Sequence, residues 1–234
     1  MTPSSNRLLT GLAWGNVVLH GVGLVLAVIG MRPGSPLVPL AERMGYLAGH
    51  PAAWTWGWGV WMVCSLLLLG YVAALRGSLP ERSLAADLAL ILTAAGMGAD
   101  LLCDVIQIRG LPLATASEPL FRSLEALAFT GGATVANGLY TAAVLILTLR
   151  LRIGRWSRLA GFATVVFGAA MAIAGLIPSP RLLELATGPT IGFYSLWTLL
   201  VARDLRAMDT FVPQCRDAPW GVSSGRRAPP QDNG

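Results

Sequence analysis

Two aspartates four residues apart, Asp100 and Asp104, lie inside a long apolar stretch of the chain. A carboxylate at the centre of a membrane helix costs roughly 2.5–3.5 kcal/mol on insertion scales, so it is expected to face protein or water rather than lipid. At helical spacing both fall on one face, which continues through Thr93, Gly96, Cys103 and Gln107. Two carboxylates this close can share a proton, as relay sites do. They can instead be solvated in a vestibule or paired with Arg109, Arg122 or Arg43.

Further polar residues recur at helical spacing in other apolar stretches. Asn16 and His20 stand four apart. Thr130, Thr134, Asn137, Thr141 and Thr148 share one side of a later segment, and Glu184, Thr187, Ser195 and Thr198 share a side of the last, with Pro189 placed to break its backbone. Hydrogen bonding between helices is the ordinary role of such residues, at about 0.6–2 kcal/mol each. Together they predict a polar bundle interior. The candidate intramembrane site is therefore Asp100, Asp104, Glu184, His20, Asn16 and Asn137.

Several chemistries are excluded or unsupported. All 17 basic residues are arginine, so Schiff-base chemistry and a P-loop lysine are ruled out. His20, Asp100, Asp104 and Glu184 have donor atoms suited to divalent ions, but no ligand motif joins them, so neither metal nor cofactor is expected. Cys64, Cys103 and Cys215 have neither disulfide nor zinc spacing. Gly221–Gly225 fits G-x-S-x-G, but it lies in a polar tail with no His after it, outside the strand–turn–helix context the motif needs.

The elements that must position the candidates are membrane spans. Hydrophobic residues make up 54% of the 234-residue chain and charged residues 12%, a departure from soluble averages toward a bilayer protein. About 20 apolar residues cross a hydrocarbon core. Six stretches qualify, at about 8–31, 53–75, 84–108, 126–149, 159–177 and 182–202. The first lacks a small-x-small cleavage site and reads as a retained helix rather than a signal. The fold class expected is all-α, a six-helix domain over 1–208 followed by a disordered cytoplasmic tail, 209–234.

Arginine placement predicts orientation. With Met1 inside, 12 arginines lie on the inner side against 5 (Arg32, Arg43, Arg109, Arg122 and Arg181) on the outer, which puts both termini in the cytoplasm. This asymmetry accounts for the basic balance without nucleic acid. Outer connections are the longer ones. Residues 39–48 predict an interfacial helix with Leu40, Met44 and Leu47 on its apolar face and Glu42 and Arg43 off it. Ser117-Glu118-Pro119 predicts a helix start running into the fourth span, with a kink or close packing at Gly131-Gly132.

Trp54, Trp56, Trp58 and Trp61 read as an outer aromatic belt. Gly161, Gly168, Ala172 and Gly175, and Gly11-x-x-x-Gly15, supply small-residue faces for packing within the bundle or between copies. The lipid bilayer is the expected partner, with a homo-oligomer or larger membrane complex also compatible. The expected setting is a bacterial inner membrane.

Three functions fit these features. The leading expectation is a protein that binds or moves a small solute or protons through an outward-facing acidic site. Here Asp100 and Asp104 are joined by Glu125 and Glu184 at the same end. A non-transporting subunit, scaffold or sensor is the second. The third is an intramembrane enzyme on lipid or isoprenoid substrates, which the residues favour less than a non-enzymatic role.

Overall fold

The computed structural model describes residues 3–79 and 83–211, with side chains over 7–79 and 83–207. Most of the expected tail, 209–234, lies outside the described residues. Helices account for almost all of the described chain, and no strand occurs among the described residues. Six helices are long and apolar enough to cross a membrane, spanning Arg7–Gly34, Pro51–Gly77, Leu84–Ala114, Glu118–Arg150, Arg155–Leu176 and Pro180–Ala207. The protein is an all-α, six-span transmembrane protein.

In chain order, α1 (Pro3–Leu26) continues through a π-helical turn, Ala27–Met31. Then come α2 (Leu40–Gly49), α3 (Pro51–Gly77) and α4 (Leu84–Val105), the last prolonged by a second π-turn, Ile106–Gly110. Short α5 (Leu111–Ala114) leads to α6 (Glu118–Phe129), which runs through a third π segment, Thr130–Ala136, into α7 (Asn137–Arg150). Finally come α8 (Arg155–Leu176) and α9 (Pro180–Phe211), the latter continuous across Pro189 rather than broken there. Each spanning helix packs on the next (α1 on α3, α3 on α4, α4 on α7, α7 on α8, α8 on α9), and α9 returns to α1 to close a ring. An even number of spans brings the start of α1 and the end of α9 to one end. The loops bearing α2, α5 and α6 form a cap at the other.

One seam of this ring is written in the sequence at a spacing of seven. Thr134 of the third π segment and Thr141 and Thr148 of α7 meet Gly175, Gly168 and Gly161 on antiparallel α8, each Cβ position on α8 lying against the side chain of its threonine. Only hydrogen leaves room there, so the glycines let two backbones approach as small residues do in membrane bundles. The Thr134 hydroxyl also donates to the Ala172 carbonyl at 3.0 Å. The α8 glycine face is thus consumed inside the bundle. At the terminal end, Asp204 ties the α7–α8 turn to α9, accepting from the Gly154 N–H at 2.7 Å and the Ser157 hydroxyl at 2.5 Å.

The interior is layered along the membrane normal. An apolar plug at the terminal end gathers Leu9, Tyr71, Leu75, Leu147, Trp197 and Val201. A second plug under the cap gathers Met31, Leu47, Trp54, Leu111, Ala114 and Phe121. The polar residues of α1, α3, α4 and α7 lie between the two in chain position.

Two expectations about the cap are corrected. The tryptophans do not form a lipid belt: Trp56 is 75% exposed, but Trp54 is 3% exposed and its indole N–H donates to the Gln107 carbonyl at 2.7 Å. Trp61 packs where Gly23 leaves space, 3.2 Å from the position a Cβ would take. Of the face that Trp54, Trp58 and Trp61 share, Trp54 is turned inward by the Gln107 carbonyl and Trp61 by the space at Gly23, while Trp58 packs with the cluster under the cap. Nor does Arg43 lie off the packed face of α2. It is buried and pairs with Glu125 of α6 at 2.7 Å, which neutralises a guanidinium that apolar packing alone would exclude.

The seam predicts a size-specific defect. Gly168→Ala should destabilise the detergent-purified protein by about 1–3 kcal/mol, the usual cost of overpacking. Adding Thr141→Ala should recover much of the loss. Gly21→Ala, at a position with nothing within 4 Å, should leave the thermal midpoint unchanged. A thermal-unfolding series on the four proteins checks this.

Candidate functional site

Asp100 and Asp104 both reach the bundle interior from α4, and the residues that receive them come from α3 and α7. One oxygen of Asp100, Oδ2, accepts from the Ser65 hydroxyl at 2.5 Å and from the Tyr140 hydroxyl at 3.3 Å. Tyr140 can cross to Asp100 because residue 96 is glycine: a Cβ there would stand 2.8 Å from the Tyr140 ring and 3.2 Å from the Ala136 carbonyl. On the same side, Gly131 brings the π segment against Cys103, whose sulfur lies 2.5 Å from the Cβ position, while a Cβ on Gly132 would stand 3.9 Å from Asp100 Oδ1. The expected close contact at Gly131-Gly132 is therefore with α4, at Cys103.

Asp104, one turn further on, is 1% exposed, and its Oδ2 has no hydrogen-bond partner. Buried polar atoms are nearly always satisfied, so an orphan carboxylate oxygen calls for a proton, a cation or water. Ser65 has one hydroxyl proton and two acceptors in reach, Asp100 Oδ2 and the Trp61 carbonyl, the latter at 3.2 Å. With Asp100 ionised, Ser65 donates to it. With Asp100 protonated, the acid donates to Ser65 and Ser65 turns to Trp61. The serine thus suits either state of the acid without a backbone movement.

The three π-turns lie toward the cap, and each offers a carbonyl that a side chain takes. Tyr46 donates to Gly30, Trp54 to Gln107, and Asn137 Nδ2 to Gly132 at 2.9 Å. Such turns unwind the regular ladder and often mark functional positions. Here every one of these carbonyls is covered.

The other candidates are placed as follows. Asn16 is fully buried and stitches α1 to α3, donating to Leu12 at 2.9 Å and Leu67 at 3.3 Å, while its Oδ1 is unpartnered. His20 is buried, and its Nδ1 lies 2.9 Å from the Asn16 carbonyl. A carbonyl only accepts, so Nδ1 carries the hydrogen and Nε2 is the free nitrogen. The ring meets Trp61 edge-on, with centroids 6.1 Å apart, and tilts against Tyr194 at 5.7 Å. Asn137 serves its own helix. Glu184 is exposed and lines a surface crevice with Arg32 and Arg181.

The structure therefore joins Asp100 to Asp104, and Asn16 to His20, but does not assemble all six. Among the described residues, no three His, Cys, Asp or Glu side chains come together in a way that could hold a metal ion. The acids of the cap end do not form one open vestibule either: Glu125 is held by Arg43, Glu184 stands apart, and Asp104 is covered. Sequence reasoning missed Ser65, Tyr140 and Tyr194. The Cys64-Ser65 pair, polar inside an apolar run, is the one signal that pointed to α3. Comparison of the chain with protein-family models, curated proteins and solved structures returned no match.

A hydrogen bond to a charged group is worth about 1.5–3 kcal/mol, so Ser65→Ala should lower stability by that order while Asp100 is present. In an Asp100→Ala background the same substitution should cost much less. A double-mutant cycle on thermal or denaturant unfolding reads the difference, and equal costs in both backgrounds would mean that the serine does not serve the acid.

Proposed function

We propose that this is a multi-pass protein of a bacterial inner membrane, termini cytoplasmic, that binds a proton on the Asp100–Asp104 pair and carries it across the bilayer, alone or with a small solute. The observation that carries the reading is Asp104: a carboxylate 1% exposed, its Oδ2 unpartnered, one helical turn from a second acid. Acidic residues buried in membrane bundles commonly mark proton or ion pathways because holding their charge in a low dielectric is so unfavourable. A single proton shared between the two would remove one charge and satisfy the orphan oxygen. The two-way hydroxyl of Ser65 suits gain and loss of that proton. Apolar plugs lie toward both ends, so a proton fits this closed site without rearrangement, whereas a larger solute requires one plug to part. Orientation rests on the arginine count of the sequence, 12 against 5.

On the side of α1, His20 packs against Tyr194 of α9, with ring centroids 5.7 Å apart.

The test is a proton flux. The purified protein is reconstituted in liposomes containing a pH-sensitive dye, and a pH gradient is imposed at fixed membrane potential. The intact protein should dissipate the gradient faster than empty liposomes, and Asp104→Asn, close in shape but without the titratable group, should abolish the excess. An Asp104→Asn protein as fast as the intact one would reject the assignment of the carrier site, and an intact protein no faster than lipid alone would reject transport of the proton on its own.

A further inference from the structure

The five arginines at the cap end divide by partner. Arg43 pairs with Glu125 at 2.7 Å and Arg122 with Glu118 at 2.8 Å. Arg32, Arg109 and Arg181 have no ion pair among the described residues, and two of these share a site: Arg32 at the end of the first span and Arg181 at the start of the last both line a crevice of about 350 Å³. A neighbouring depression of about 540 Å³, walled by Pro36, Ile177 and Pro178, adjoins it through Leu37 and Arg181. Glu184 stands on the rim, and its single charge leaves the crevice positive.

The walls give the character of the occupant. Ile177 and Leu185, which line the two depressions beside Arg181, are exposed large apolar residues. Leu185 belongs to the last span. Two guanidiniums at the level where spans begin and end, above an apolar face, match a phosphodiester headgroup with acyl chains below it. Arginine suits this role because its planar fork meets phosphate oxygens in pairs. A soluble anion would match the guanidiniums but gain nothing from the apolar wall.

We infer that the crevice between Arg32 and Arg181 is a binding site for an anionic phospholipid. The protein is purified in mild detergent with added phosphatidylglycerol or phosphatidylcholine, and retained lipid is measured by native mass spectrometry. Phosphatidylglycerol should be held in preference to phosphatidylcholine. Arg32→Gln and Arg181→Gln, both at exposed positions that leave the fold untouched, should each weaken its retention about fivefold. Arg109→Gln, at an exposed arginine of the same end outside the crevice, should have no such effect. Inorganic phosphate should not displace the lipid. Equal retention in both Gln variants, an equal loss in Arg109→Gln, or displacement by phosphate alone would each overturn the inference.

Discussion

The structure is organised by the cost of keeping carboxylates out of water. α4 carries two acids into the bundle between two apolar clusters, and the surrounding elements are shaped to receive them. α3 brings a hydroxyl and α7 brings a phenol to Asp100. Gly96 removes the side chain that would keep Tyr140 away, and Gly131 removes the one that would hold the π segment off Cys103. What these elements leave undone is Asp104 Oδ2, and that residual demand is the physical basis for the functional reading.

The same economy of space runs through the scaffold. The threonine–glycine seam between α7 and α8 fixes the position of α7, and with it the reach of Tyr140. The π-turns lie toward the cap ends of three spans, and their open carbonyls are taken by Tyr46, Trp54 and Asn137, donors from the cap or the same helix. The buried Arg43–Glu125 pair then anchors α2 to α6 across the top. Removing either partner of a buried pair strands the other, which makes this contact a natural latch on the cap end.

Much of this was legible in the residues before any coordinates. Length and apolarity located all six spans, because a hydrocarbon core demands uninterrupted apolar helix whatever the tertiary contacts, but placed the end of the third short of Ala114 and the start of the fourth at 126 rather than Glu118. Asp100 and Asp104 could be placed on a shared inward face by spacing alone. The partners of that face could not, since Ser65 and Tyr140 are distant in sequence and only the ring of helices brings them to α4. Periodicity also misassigned Arg43 and the inward tryptophans. It reports which residues share a face, not whether a carbonyl or a carboxylate waits opposite. Glu184 and Asn137 joined the candidates by residue type, yet Glu184 belongs to the surface crevice and Asn137 to its own helix.

The central claim, that the two acids hold one proton between them, is tested most directly by infrared difference spectroscopy of the purified protein during a pH titration. The stretching band of a protonated carboxylic acid should appear in the intact protein and shift in deuterated buffer. Asp100→Asn and Asp104→Asn should each alter it, because a shared proton belongs to both residues. A spectrum left unchanged by Asp104→Asn would contradict the account.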